Sequence, residues 1–104
     1  MPIYVMLSQL TPEGGKTLHD KPERIKEVDR EVRNYGCEIL TQYALLGAYD
    51  FVTIFEAPDN ETVARLSIDL SSRGTVKITS LPAIPIDQLV RSLKSRKSKK
   101  SAKK

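Results

Sequence analysis

The sequence predicts an α+β domain with the β-α-β-β-α-β order of a ferredoxin-like antiparallel sheet, and three observations carry that prediction. The central stretch Leu45 to Glu56 is strand-like apart from Gly47-Ala48, a link so short that the strands flanking it must pair antiparallel. Each half of the chain adds to that centre one segment of helical periodicity and one further β-branched run. The length, 104 residues, suffices for one domain with a modest core. The expected organisation is a domain over residues 1–84, a short helix over 85–93 and a disordered lysine-rich tail over 94–104.

Ile3 to Leu10 reads as the first strand, closed by Thr11-Pro12-Glu13-Gly14-Gly15. Thr11 before Pro12 suits an N-cap and first helical position, which predicts a short turn of helix to Leu18. His19-Asp20-Lys21-Pro22 interrupts it, and Asp20 with Glu23 has the spacing of a loose capping box for the main helix. In that helix Ile25, Val28, Val32 and Tyr35 share one face, and Gly36 supplies the stop. Cys37 to Leu46 is the second strand and Tyr49 to Ala57 the third. After Pro58, Asp59 or Asn60 caps a helix that buries Val63, Leu66 and Leu70 and ends at Gly74; Ala64 and Ile68, off that stripe, suggest a second, shallower contact surface. Thr75 to Leu81 is the fourth strand, and Ile86, Leu89, Val90 and Leu93 form one apolar face of the short final helix.

In this order both long helices cover one face of the sheet and leave the other bare. Alternation assigns Val5, Val52, Ile54, Val76 and Ile78 to the helix side. It assigns Tyr4, Met6, Ser8, Thr41, Tyr43, Tyr49, Phe51, Thr53, Phe55, Lys77 and Thr79 to the bare face; a one-residue slip would exchange the two sides. A face so apolar is expected to be covered by another subunit, in a homodimer or a higher even homo-oligomer.

Charge is divided sharply along the chain. Residues 1–90 carry 9 Lys+Arg and 13 Asp+Glu, a balance of −4, while Arg91 to Lys104 carries 8 basic residues and no acid. The net +4 and the basic pI therefore describe an appendage and not the domain. Without interleaved aromatics, Lys94 to Lys104 is expected either to contact polyanions non-specifically, in a salt-dependent way, or simply to aid solubility. One cysteine excludes an internal disulfide, and one Cys with one His is too little for a metal site. The start of the chain lacks the basic and apolar regions of a signal peptide, and no apolar run reaches the roughly 18 residues needed to span a bilayer. A cytoplasmic protein without metal or cofactor is the expectation.

At Gly47-Ala48-Tyr49-Asp50 the chain resembles the GYD-domain family, small proteins with a Gly-x-Tyr-Asp motif between strands two and three. The likeness extends over about residues 1 to 90 and takes in Thr11…Gly14, Pro22-x-Arg24, Gly36, Glu56-Ala57-Pro58-Asp59 and Gly74. It implies a dimeric α/β barrel in which two ferredoxin-like sheets pack face to face. It implies no substrate, and the tail lies outside the pattern.

Candidate chemistry centres on Tyr49 and Asp50, with Tyr43 nearby on the second strand. Either Tyr49 and Asp50 face a cavity, where they bind a ligand and Asp50 serves as a base, or Gly47 supplies a positive φ, Tyr49 packs and Asp50 bonds loop backbone. His19 is the single imidazole, best read as an exposed loop residue, and Cys37 as a small buried one. Arg33 and Arg73, near helix ends, either bind an anion or complement a helix dipole. No phosphate loop or nucleophile elbow is present. Two function classes follow: a small-molecule-binding or assembly module, and a cofactor-independent enzyme of mono-oxygenase or isomerase type using a pocket near Tyr49 and Asp50.

Overall fold

The computed structural model describes residues 1–103, with side chains through Ser95. The elements are β1 (Ile3–Leu10), α1 (Pro12–Asp20), α2 (Arg24–Asn34), β2 (Glu38–Ala44), β3 (Phe51–Glu56), α3 (Asn60–Ser71), β4 (Val76–Ala83) and α4 (Ile86–Lys103). The four strands form one antiparallel sheet in the order β2-β3-β1-β4, the ferredoxin-like arrangement. The two halves interleave, so β1 pairs with both β3 and β4 and lies inside the sheet.

Local sequence explains how the helices begin. The Thr11 hydroxyl accepts from the Gly14 N–H, with Pro12 at the first helical position, and α1 runs nine residues, past the short turn expected to end at Leu18. Asp59 caps α3 by accepting from both the backbone N–H and the hydroxyl of Thr62. Those hydrogen bonds hold its carboxyl below the usual range. The capping box expected at Asp20 and Glu23 does not form. Asp20 is the last residue of α1, and Glu23 precedes α2 without a side-chain cap. The first helix has therefore extended through Asp20, the residue expected to begin the second.

Packing corrects the assignment of sheet faces. Tyr4, Met6, Ser8, Thr53 and Phe55, expected on the bare face, are buried beneath the helices. Phe51 lies on the same side, lining the space under α1 and α2. The ring of Phe55 is fully buried and stacks on Tyr4 at 5.7 Å, between sheet and helices. Val5, Val52 and Ile54, expected on the helix side, are half-buried on the other face. In β4 the assignment holds, since Val76 and Ile78 pack against the core while Lys77 and Thr79 are exposed. β2 has a bulge between Ile39 and Thr41, so Ile39 packs inward while exposed Leu40 is extruded from the pairing.

The core is completed by Val32 of α2, by Val63, Leu66 and Leu70 of α3, and by Cys37 and Ala57. Val28 and Tyr35 pack on its edge, as the helical period requires. Ile68 and Ala64 are exposed. The far face of the sheet carries Ile3, Val5, Leu7, Val52, Ile54 and Leu81, with Tyr43 at 63% exposure on the edge strand. It is thus apolar, as expected; Thr41, Tyr43, Lys77 and Thr79 lie on it as assigned, while in β1 and β3 the alternate residues do. Ile86, Leu89, Val90 and Leu93 of α4 are also exposed. In the tail over 94–104, the side chains beyond Ser95 and the whole of Lys104 lie outside the described residues.

Candidate functional site

The loop between β2 and β3 is built by backbone chemistry. Gly47 has φ of +113°, a conformation that an L side chain rarely adopts and that lets the chain reverse here. The Leu45 N–H donates to the Asp50 carbonyl at 2.7 Å and the Asp50 N–H to the Ser8 carbonyl at 2.8 Å. The Asp50 carboxylate accepts from the Leu10 N–H at 2.7 Å, and the Gln9 side-chain amide donates to the Ala48 carbonyl at 2.8 Å. Asp50 therefore ties the loop to the end of β1. Tyr49 is half-buried beside it in the loop, and Tyr43 is exposed on the open face of the sheet.

The other sequence candidates lie apart. His19 is exposed near the end of α1, 3.5 Å from the Asp20 carboxylate. Cys37 is buried, and that desolvation pushes its thiol above the usual range, which disfavours the nucleophilic thiolate. Arg33 is exposed in the last turn of α2. Arg73 reaches from the loop after α3 to hold both carboxylate oxygens of Glu31, with Nη1 to Oε1 at 2.5 Å. That hydrogen bond is the main reason Glu31 titrates below the ordinary carboxylate range and Arg73 above its own. Among the described residues no group of three or more His, Cys, Asp or Glu side chains is placed to hold a metal ion. No helix among them is long and apolar enough to cross a membrane.

The structure brings together a different set. A cavity of about 100 Å³ lies between the helix face of the sheet and α1, α2 and α3. Its walls are mainly apolar, from Met6, Leu18, Ile25, Val28, Phe51 and Ile78. Polar groups enter at one side: Gln42 donates to Asp29 at 3.2 Å and to Thr53 at 3.1 Å, and Ser8 lies on the sheet floor. Arg24 and Arg73 also line it, paired with Glu27 and Glu31 respectively. Tyr43, Tyr49, Asp50 and His19 do not line this cavity. Sequence reasoning missed it because its polar members, Ser8, Asp29, Gln42 and Thr53, come from four elements and share no motif. The one available signal was the polar positions Ser8 and Thr53 inside otherwise apolar strands.

The family described as GYD domain matches residues 4–93 of the chain. A protein of Thermus thermophilus, named glutamine synthetase and cystathionine beta-lyase binding protein, is similar at 50% identity over 95 residues. The matched stretch covers 90% of this chain and 100% of that relative. No solved structure matches.

Proposed function

The chain belongs to the GYD domain family, and from that premise we propose that it is a protein-binding module, assembled as a homodimer, that acts by docking on other enzymes. The observation that carries this reading is the relative, half of whose residues are identical along its entire length and whose name states that it binds glutamine synthetase and cystathionine beta-lyase. The apolar far face of the sheet and the exposed apolar residues of α4 support an association role.

Self-association uses the far face of the sheet in this reading. Val5, Leu7, Val52, Ile54 and Leu81 form an apolar surface that two copies bury by packing their sheets together, giving a dimeric α/β barrel. The exposed charged residues of the helices, among them Lys26, Arg30, Arg33, Glu61 and Arg65, and the exposed apolar residues of α4 then remain for partners. The basic tail adds non-specific attraction to polyanions that salt screens.

The test is direct. Full-length protein is mixed with glutamine synthetase and, separately, with cystathionine beta-lyase, and each mixture is followed by size-exclusion chromatography with light scattering and by calorimetry. Co-elution with at least one enzyme at a fixed stoichiometry is expected. Failure to associate with either at about 100 μM, which corresponds to binding weaker than roughly 5.5 kcal/mol, overturns the proposal.

A further inference from the structure

We propose that the cavity between the helices and the sheet is a binding site for a small neutral organic molecule with an apolar body and one hydroxyl group. The proposal concerns the helix side of the sheet, so it stands or falls separately from the association reading, which uses the opposite face and the exterior. Size sets the first limit. The cavity measures about 100 Å³, and since an apolar cavity of about 150 Å³ admits benzene with its six carbons, roughly four non-hydrogen atoms is the upper bound.

Polarity sets the second. Ser8 is only 8% exposed and lines the cavity, and among the described residues its hydroxyl takes part in no hydrogen bond. No enclosed side-chain nitrogen or oxygen among them lacks a partner, so the Ser8 hydroxyl must look onto open space, and the cavity is the space it lines. Thr53, 4% exposed, accepts from Gln42, which leaves its own hydroxyl proton free to donate. The two residues sit diagonally on the paired strands β1 and β3, facing the same way. Both hydroxyls face the cavity, so a ligand oxygen that both donates and accepts can pair with them in place of solvent.

Charge sets the third. The two cations on the lining are already matched, Arg24 by Glu27 and Arg73 by Glu31, and the remaining ionised lining group is the Asp29 carboxylate. An anionic ligand would find no unmatched cation and one like charge, whereas a neutral hydroxyl meets neither penalty. The apolar walls take up the body of the molecule.

Propan-2-ol is the probe, with acetate as its anionic counterpart of equal non-hydrogen atom count, titrated into the full chain and followed by amide NMR shifts at Ser8, Thr53 and Ile78. Saturable shifts with propan-2-ol, and at least about tenfold weaker binding of acetate, are expected. Ser8→Ala should weaken propan-2-ol about fivefold through loss of one hydrogen bond. Ser8→Leu should abolish binding by filling the space; if it does not fold, Ser8→Ala carries the test. Shifts that remain linear to about 100 mM propan-2-ol, propan-2-ol binding undiminished in Ser8→Ala, or acetate binding as well as propan-2-ol would each overturn the proposal.

Discussion

Replacing Gly14 with alanine would place a Cβ 1.8 Å from the Thr75 carbonyl oxygen, 2.8 Å from its carbon and 3.1 Å from its Cα. All three atoms are backbone, at the entry to β4, so no side chain can swing aside. Either α1 or the start of β4 must move by more than an ångström. That movement strains the contacts seating α1, namely the Thr11 N–H to the Thr75 carbonyl at 3.0 Å and the Thr11 hydroxyl to the Gly74 carbonyl at 2.7 Å. Overpacking of this kind costs about 1–3 kcal/mol, and each hydrogen bond lost adds about 1 kcal/mol. The better helix propensity of alanine returns about 1 kcal/mol. With both bonds lost the net expectation is a loss of about 2–4 kcal/mol, or roughly 10–30 °C in Tm for a domain of this size. Gly15→Ala is the matched control, because nothing lies within 4 Å of its Cβ, and it should stabilise by up to about 1 kcal/mol. Urea denaturation followed by far-UV circular dichroism, at one fixed protomer concentration, measures both. If Gly14→Ala were as stable as Gly15→Ala, the close seating of α1 on β4 would be refuted.

Three further outcomes test other parts of the molecule. Because the Arg73 hydrogen bond depresses the Glu31 pKa in the folded state, its stabilisation is present above the unfolded carboxyl pKa and lost as pH falls through the folded value. Glu31→Gln should therefore cost less than about 1 kcal/mol at pH 7, the pair being partly solvated, and converge on wild type in urea titrations as pH falls through the depressed folded-state value; a deficit independent of pH would contradict this. Leu7→Glu puts a charge on the far face between Val52 and Thr79 and should halve the mass seen by light scattering, whereas an unchanged mass would exclude sheet-to-sheet dimerisation. Removing residues 94–104 should leave Tm and oligomer mass unchanged while abolishing salt-sensitive retention on heparin, and equal retention would rule out the tail as the polyanion contact.

The element order was legible because punctuation and periodicity agree along this chain. Thr11-Pro12 starts α1, Asp59 caps α3, and Gly36 and Gly74, both at positive φ, end helices. The α2 and α3 core stripes were legible for the same reason: Val32, Val63, Leu66 and Leu70 recur at helical spacing among polar residues. The motif at Gly47 to Asp50 pointed correctly to a hairpin and a family, and its hydrogen bonds display the backbone role that Asp50 chemistry favours.

What alternation could not resolve is which way β1 and β3 face. Ile3-Tyr4-Val5-Met6-Leu7 and Phe51-Val52-Thr53-Ile54-Phe55 are apolar on both sides, so a period of two carries almost no signal in them. β4 alternates Val76-Lys77-Ile78-Thr79 and could be placed without its neighbours. Pairing then fixes the rest, since Ser8 opposes Ile78 and Phe51, and that register turns Tyr4, Met6 and Phe55 under the helices. Local composition thus settles the helices, the turns and the order of elements along the chain, because those depend on near neighbours. The orientation of the central strands, and with it the cavity lined by Ser8 and Thr53, depends on contacts between residues more than forty positions apart, which exist only once the sheet has closed.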